Sequence, residues 1–471
     1  MTTFLGIYLV VLSLVLVGIM RRDAVLERCA LLSTRNFFIL GLILFQTSSG
    51  AVTLLLDETE RGAEIEKPEL PALAFCVILT VFIAVFLWIY RHSNFVERFA
   101  SARTRIRLSS RPRLILTGVS LTLIGVALRF AGARIPYVAV LLPQLSAGCL
   151  CAGAALVAMA WARSAWNIAN AIIFALVIGA SSATLLVDAF GRRELIGLFL
   201  AAVWGFYYEN WRLMSAAKLF PRVIVAVAAL STAVLAFSAS RVGGQDVDRS
   251  LGQQVQRILE IDVRDVRDRF VEALAGQYAG GISMYLFDAR LRDSEYDPMH
   301  SLLYFATLPI PRDFWPGKYE GLGATAPDKA GVTRVADEFS WGPGLVGHLC
   351  NDIVFLALPV YAALLAFAFR YMDSRTSLSL RDPLCVAVFG SALGQMLGMP
   401  RGEIGLFAFN MVAALAGAWF VGLLCGKLFL PVDRDAEAAD LYDADGYAAD
   451  DAYELADSEQ SSVDESSYAE R

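Results

Sequence analysis

The sequence predicts an all-α integral membrane protein, with about 11 transmembrane helices and one long extracytoplasmic loop that contains an amphipathic helix. Of its 471 residues, 57% are hydrophobic and only 18% are charged. A soluble domain carries roughly 25% charged residues. The apolar residues are also grouped into blocks of about 20, the length of a helix that crosses the hydrocarbon core of a bilayer. The composition therefore excludes a chain of soluble domains.

The apolar blocks place the spans at residues 4–20, 36–56, 71–90, 114–132, 137–161, 168–189, 195–208, 219–239, 350–371, 384–399 and 404–430. The chain then divides into an N-terminal membrane bundle (1–239), an extracytoplasmic loop (240–349), a C-terminal membrane bundle (350–430) and an acidic tail (431–471). No small-residue cleavage site ends the first span, and Arg21 and Arg22 follow it directly. We therefore expect this span to be retained rather than removed as a signal peptide.

Basic residues in the loops predict the orientation. If the N-terminus lies outside, the cytoplasmic loops are 21–35, 91–113, 162–167, 209–222 and 370–382. These loops hold 18 lysines and arginines, against six in the short loops on the other side. Because positively charged loops are retained in the cytoplasm, the N-terminus is expected outside and the C-terminus in the cytoplasm. The same arginines could hold anionic membrane lipids.

The net charge of −6 is unevenly distributed along the chain. Residues 433–471 contain fourteen acidic and two basic residues, a net charge of −12, which leaves +6 for the rest. The tail has few large aliphatic residues, so we expect it to be disordered. No basic stripe with interleaved aromatic residues is present, so nucleic acid is not an expected partner. With three histidines and one isolated pair, Cys149 and Cys151, neither a metal site nor a cofactor is expected.

The long loop begins with a predicted helix over residues 250–277. Apolar residues such as Leu251, Val255 and Leu259 recur there at spacings of three and four, and charged residues occupy the positions between them. The helix could lie on the outer surface of the bilayer, or pack its apolar face against a small core within the loop. The mixture of acids and arginines on its polar face favours packing within the loop.

A proline-rich segment follows, with the sequence PIPRDFWPGK from Pro309 to Lys318. Three prolines in eight residues exclude a regular helix and predict a stiff, extended turn. Arg312 and Lys318 supply positive charge, and Phe314 and Trp315 lie between them. A guanidinium and an ammonium group suit phosphate, and an aromatic face suits a sugar ring. An ordinary surface turn in which Arg312 pairs with Asp313 is an equally good interpretation.

This segment resembles the signature of bacterial oligosaccharide repeat-unit polymerases, the Wzy-type polymerases of O-antigen and exopolysaccharide. In that family a second element follows some thirty residues later, at the start of the next span. The corresponding stretch here is Gly347 to Val354. It departs from the family pattern at His348, Cys350 and Asp352, where the family has an acid, a tyrosine and an asparagine. The resemblance covers about fifty residues and the overall topology.

The resemblance implies a glycosyltransferase of the bacterial plasma (inner) membrane. Its substrate would be an oligosaccharide carried on undecaprenyl diphosphate, and a chain-length regulator and a flippase would be further partners. Such a reaction expels a diphosphate, whose developing negative charge fixed cations would stabilise. The attacking sugar hydroxyl needs a base within hydrogen-bond reach.

The sequence offers candidates for substrate binding within the long loop, in the short loop before the last span and in the fourth span. Arg312 is the leading cation for the diphosphate, Lys318 is the second, and Trp315 is a candidate for the sugar. Arg401, in a very short loop before the last span, could face the same site, although an interfacial arginine paired with Glu403 is the simpler interpretation. Arg129 lies near the outer end of the fourth span, where it is either functional or extends to the interface.

Four residues are candidates for the general base. His348 belongs to the second element, and a histidine titrates near neutral pH. Asp352 lies four residues later, and Asp337 and Glu338 precede a turn rich in glycine and proline. For each of them a purely structural role is the alternative.

Three other functions compete with the polymerase. A ligase that transfers a finished glycan to another acceptor would need the same cations and base. A flippase or transporter is less favoured, because no matched pair of broken helices is visible in the two halves. A sensor or scaffold would use the acidic tail to recruit partners.

Overall fold

The computed structural model describes residues 1–26, 28–57, 67–101, 109–132, 141–164, 167–186, 192–214, 278–293, 297–329 and 341–432, together with a few isolated positions between these ranges. Its helices, in chain order, are α1 (Thr2–Val25), α2 (Thr34–Leu56), α3 (Glu69–His92), α4 (Asn94–Ser101), α5 (Arg111–Gly132), α6 (Leu141–Ala162), α7 (Ile168–Leu186), α8 (Arg192–Glu209), α9 (Ala279–Asp293), α10 (His300–Thr307), α11 (Leu322–Lys329), α12 (Gly344–Asn351), α13 (Val354–Leu378), α14 (Pro383–Gly390), α15 (Leu393–Gly398) and α16 (Ile404–Phe429).

The described residues confirm an all-α membrane protein. They form no β-strand, and eight of their helices are long and apolar enough to cross a membrane: α1, α2, α3, α5, α6, α7, α13 and α16. The predicted seventh span corresponds to α8, which begins with charged residues, and the tenth corresponds to α14 and α15 together. Most of the eighth predicted span, the amphipathic helix over 250–277 and the acidic tail lie outside the described residues.

Small residues bring α6 into the centre of the bundle. Cβ atoms added to Gly148 and Gly153 would collide with the backbone of α16 and of α5, at Ala414 and Gly118. Close backbone approach at small residues is the usual way in which membrane helices pack, because lipid supplies no hydrophobic force between them. Most of α6 is consequently buried, whereas α1 and α7 lie at the periphery.

Polar caps fix where several helices begin. The Ser33 side chain accepts a hydrogen bond from the Asn36 amide at the start of α2, and the Asp382 carboxylate accepts bonds from two amides of α14. Pro383 occupies the first turn of α14, where no amide hydrogen is needed. These caps satisfy amides that have no partner within their own helix.

Two predicted spans are interrupted in the structure. The ninth, predicted over 350–371, is divided at Asp352 and Ile353 into α12 and α13, and Ile353 has a φ of 66°. The tenth, predicted over 384–399, is divided at Ser391 and Ala392. Positive φ is strained for a β-branched residue, so the surrounding contacts must hold Ile353 in place. At this end of the bundle α10, α11 and α12 contact the start of α16, and α9 packs against α12.

Candidate functional site

The proline-rich loop folds as successive tight turns rather than as the stiff, extended turn that the sequence predicts. Amides of Phe314 and Lys318 donate to the carbonyls of Pro311 and Trp315, at 3.1 and 3.2 Å. The Lys318 ammonium donates to the carbonyl of Ile310 at 2.7 Å, within the same loop. Partial burial, with a smaller contribution from Arg312, lowers the pKa of Lys318. Lys318 thus stabilises the loop that carries Arg312.

Arg312 is half-exposed and paired. Its side chain is 53% exposed, and Nη1 lies 2.9 Å from Oε1 of Glu320, which is 48% exposed. The partner is therefore Glu320 and not the neighbouring Asp313. Phe314 and Trp315 are exposed beside it, at 71% and 43%. The loop presents one guanidinium and two aromatic side chains at its surface.

His348, in α12, is completely buried and touches two other elements. Its Nδ1 lies 2.7 Å from the Ser301 hydroxyl of α10. Its Nε2 lies 3.4 Å from Oε1 of Glu403 and 3.4 Å from the amide of Ile404, at the start of α16. With the proton on Nδ1, the ring donates to Ser301 and accepts from Ile404. A second proton on Nε2 would face the Glu403 carboxylate.

Glu403 is the acid that faces this histidine. Its Oε2 accepts a hydrogen bond from the Gly323 amide at 2.9 Å, while Oε1 is buried and has no hydrogen-bond partner within the described part of the chain. A Cβ atom on Gly321 would lie 3.2 Å from Oε2 and 3.4 Å from the Tyr304 hydroxyl, so these two groups are neighbours. Burial and the Glu403 charge raise the pKa of Tyr304 to about 12, which keeps it a neutral donor.

The Asp352 carboxylate already accepts several hydrogen bonds from the protein. It is fully buried and accepts from the Ser301 amide and from the Asn351 side chain, both at 2.9 Å, and also from the Tyr361 hydroxyl. These donors come from α10, α12 and α13. Asp352 therefore ties three helices together at the break before Ile353 and has little capacity left to accept a proton from a substrate.

Helix α10 connects the proline-rich loop with the second element. The ring of His300 donates from Nε2 to the carbonyl of Glu320 at 2.7 Å, and its Nδ1 lies 2.5 Å from Asp297. The next residue, Ser301, contacts His348. A continuous chain of contacts thus runs from Arg312 through Glu320 and α10 to His348 and Glu403.

Of the remaining candidates, Arg401 borders the site two residues before Glu403, Arg129 lies elsewhere, and two fall outside the described residues. The Arg401 guanidinium is 5.9 Å from the ring centre of Phe45. Arg129 is buried, with Nη1 3.3 Å from Oε2 of Glu194, so it belongs to a separate ion pair between α5 and α8. Asp337 and Glu338 are not among the described residues.

The sequence did not identify four residues as part of the site: Ser301, Tyr304, Glu320 and Glu403. Glu403 was visible only as a charged residue in a short loop, and nothing in the sequence pointed to His348 as its neighbour. Their roles depend on contacts between helices that are distant in the chain. No group of three or more metal-binding side chains occurs in the described ranges.

Comparison with known proteins finds no matching family model, no matching curated protein and no matching solved structure.

Proposed function

We propose that this chain is a glycosyltransferase that polymerises oligosaccharide repeat units carried on undecaprenyl diphosphate at the outer face of a bacterial plasma membrane. The observation that carries the proposal is the contact chain through α10, which joins the two sequence elements of the resemblance into one site. In this proposal α8, the broken pair α14–α15 and residues 219–239 complete eleven crossings. The N-terminus then lies outside and the acidic tail in the cytoplasm.

Arg312 binds the diphosphate of the donor. A carboxylate already occupies its guanidinium, which has the fork geometry that also fits a phosphate. The diphosphate replaces Glu320 at Arg312, and because this pair is half-exposed, little free energy is lost in breaking it. Trp315 and Phe314 offer their faces to the sugars next to the diphosphate. Lys318 acts indirectly, by holding the turns of the loop.

In this proposal Glu403 and His348 act on the hydroxyl group of the acceptor sugar. The acceptor hydroxyl attacks the anomeric carbon, the bond from that carbon to the diphosphate oxygen breaks, and its electron pair leaves with the diphosphate. The hydroxyl proton passes to Oε1 of Glu403, which accepts no hydrogen bond from the described residues and lies 3.4 Å from Nε2 of His348. Asp352 holds the helices that position His348.

The deciding experiment is the length distribution of cell-surface glycan in a strain that lacks this chain. If the chain is a polymerase, the strain that lacks it carries only single repeat units on the outer face. Returning the gene then restores the long chains. Loss of attachment to the final acceptor, with long lipid-linked chains still present, would indicate a ligase instead. Accumulation of single units on the cytoplasmic side would indicate a flippase. An unchanged distribution would reject all three.

A further inference from the structure

A second polar site lies at the other end of α13. There a cavity of about 740 Å³ opens between the segment before α2, the end of α3, α4 and the end of α13. Its lining includes Arg28, Cys29, Asn94, Arg98 and Arg370. These residues come from three of the basic loops that the sequence analysis places in the cytoplasm. The volume is in the range of pockets that hold small ligands.

The two acids that line this cavity, Asp373 and Glu97, already accept hydrogen bonds from the protein. Asp373 accepts hydrogen bonds from the Thr34 amide and hydroxyl at 2.7 and 2.8 Å, from the Arg35 amide at 3.2 Å, and from the Tyr90 hydroxyl at 2.8 Å. It thereby caps the start of α2. Glu97 forms an ion pair with Arg370.

Two arginines remain uncompensated. Arg28 and Arg98 both line the cavity and are exposed, and neither has an ion-pair partner among the residues that the structure describes. With them the lining carries three arginines against two acids, Glu97 and Asp373, and therefore a net positive charge. An anion that enters it would meet two free guanidinium groups.

Helix α4, beside the cavity, has the character of a helix at a membrane interface. On one side of this short helix Phe95 and Phe99 are exposed, at 52% and 72%, while Val96 and Ala100 are buried against the protein. A helix with large exposed aromatic residues on one face and arginine beside them is typical of the membrane interface. Arg98 belongs to this helix, so a helix that lay at the interface would bring its guanidinium within reach of phospholipid phosphates.

We propose that this cavity binds the phosphate group of an anionic phospholipid, held by Arg28 and Arg98. The site is independent of the transferase proposal, because it shares no residue with the outer cluster, formed by Arg312, Glu320, His348 and Glu403. A soluble phosphate ester has the same chemistry, and the experiment distinguishes the two sources. The attraction of basic residues to anionic lipid at the cytoplasmic surface supplies the driving force.

The test uses purified full-length protein in detergent, titrated with short-chain phosphatidylglycerol, short-chain phosphatidylcholine or glycerol phosphate. Bound lipid is counted by native mass spectrometry, and occupancy of the cavity is followed by maleimide labelling of Cys29. Cys29 suits this assay because the six other cysteines are buried. Variant R28A/R98A is compared with R21A/R22A, which removes two exposed arginines from the end of α1 that do not line the cavity.

We expect phosphatidylglycerol to bind and to slow the labelling of Cys29, and R28A/R98A to weaken this binding by at least about tenfold. The control R21A/R22A should change it less than about twofold. Equal protection by phosphatidylcholine, or equal loss in both variants, would overturn the proposal. Protection by glycerol phosphate at the same concentration would retain the phosphate site but reject a lipid as its ligand.

Discussion

The two ends of the membrane bundle, which we name outer and inner after the proposed orientation, differ in how they arrange charged residues. At the outer cluster, Arg312 and Glu320 form a half-exposed pair, and Glu403 faces a buried histidine. Next to the inner cavity, behind Tyr90, Arg35 and Asp23 form a pair 2.7 Å apart in which both side chains are only 1% exposed. Arg28 and Arg98, which line the cavity, have no ion-pair partner among the described residues.

This difference in burial determines whether a ligand can replace one partner of an ion pair. A half-exposed pair costs little to open, so a ligand can replace one partner. A buried pair cannot be opened without leaving an isolated charge in a low-dielectric environment. The outer end is therefore suited to a substrate that arrives and leaves. The inner end is suited to an anion that binds Arg28 and Arg98 without breaking an existing ion pair.

The largest expected effect concerns the buried inner pair. Asp23→Ala leaves the Arg35 guanidinium buried without its carboxylate, and we expect a loss of about 3–5 kcal/mol in stability. The matched change Glu320→Ala at the exposed outer pair should cost less than about 1 kcal/mol. Thermal unfolding of the purified variants in one detergent measures both. Similar losses at the two pairs would remove the contrast on which the comparison rests.

The next effect tests the outer pair as a binding site. Arg312→Ala should reduce the amount of long-chain glycan by about 10²–10³-fold, because the developing charge on the diphosphate loses its cation. Arg312→Lys should retain part of the activity, since a point charge replaces a fork. Gel profiles of surface glycan, with immunoblots for protein level, provide the measurement. Arg292→Ala serves as control, because Arg292 pairs with Asp288 at an exposed position on α9. Normal chain length in Arg312→Ala would exclude the proposed role.

The acid beside His348 is expected to matter nearly as much. Glu403→Gln preserves the shape of the side chain but removes the proton acceptor, so polymerisation should fall by about 10²-fold. The control Glu209→Gln alters an acid that is paired with Arg163 away from this site. In vitro transfer between lipid-linked units, measured over a range of pH, distinguishes a base from a structural group. If the variant keeps the wild-type rate and pH profile, the base is another residue.

The smallest expected effect concerns Cys29 at the inner cavity. Burial, and to a lesser degree the Asp373 charge, raise the pKa of the Cys29 thiol above that of an ordinary cysteine. Only the thiolate reacts with maleimide, so labelling should be slow at neutral pH and should accelerate as the pH rises above the usual thiol range. Asp373→Asn removes one cause of the shift and should speed labelling severalfold at fixed pH. Ser377→Ala, in the same cavity lining, is the control, and equal rates in all three proteins would contradict this account.

The positions of the membrane helices were largely predictable from the sequence. The third span was predicted over 71–90 and is Glu69–His92, and the last was predicted over 404–430 and is Ile404–Phe429. Apolar length is a local property of the chain, and a continuous helix needs no information from elsewhere. The break at Asp352 was not predictable, because the donors that hold it come from other helices.

The candidate site was only partly predictable. Arg312 and His348 were identified because they lie in recognisable stretches of sequence, but their connection depends on α10, a helix of eight residues that carries no motif. Glu403 is more than fifty positions from His348, so their proximity follows only from the packing of α12 against the start of α16. Charge alone had suggested Arg401 as the partner of Glu403. Pairings of this kind require the tertiary structure.

The position of α10 has a consequence for the order of events in the proposed reaction. Its first residue, His300, holds the backbone of Glu320, and its second, Ser301, holds His348. In the proposed reaction a diphosphate replaces the Glu320 side chain at Arg312, and a shift that extended to the Glu320 backbone would reach His348 and Glu403 through this one short helix. Arrival of the growing polymer would thus prepare the base for the incoming unit. An empty enzyme, or one holding only water, would stay inactive, which protects an energy-rich lipid intermediate from wasteful hydrolysis.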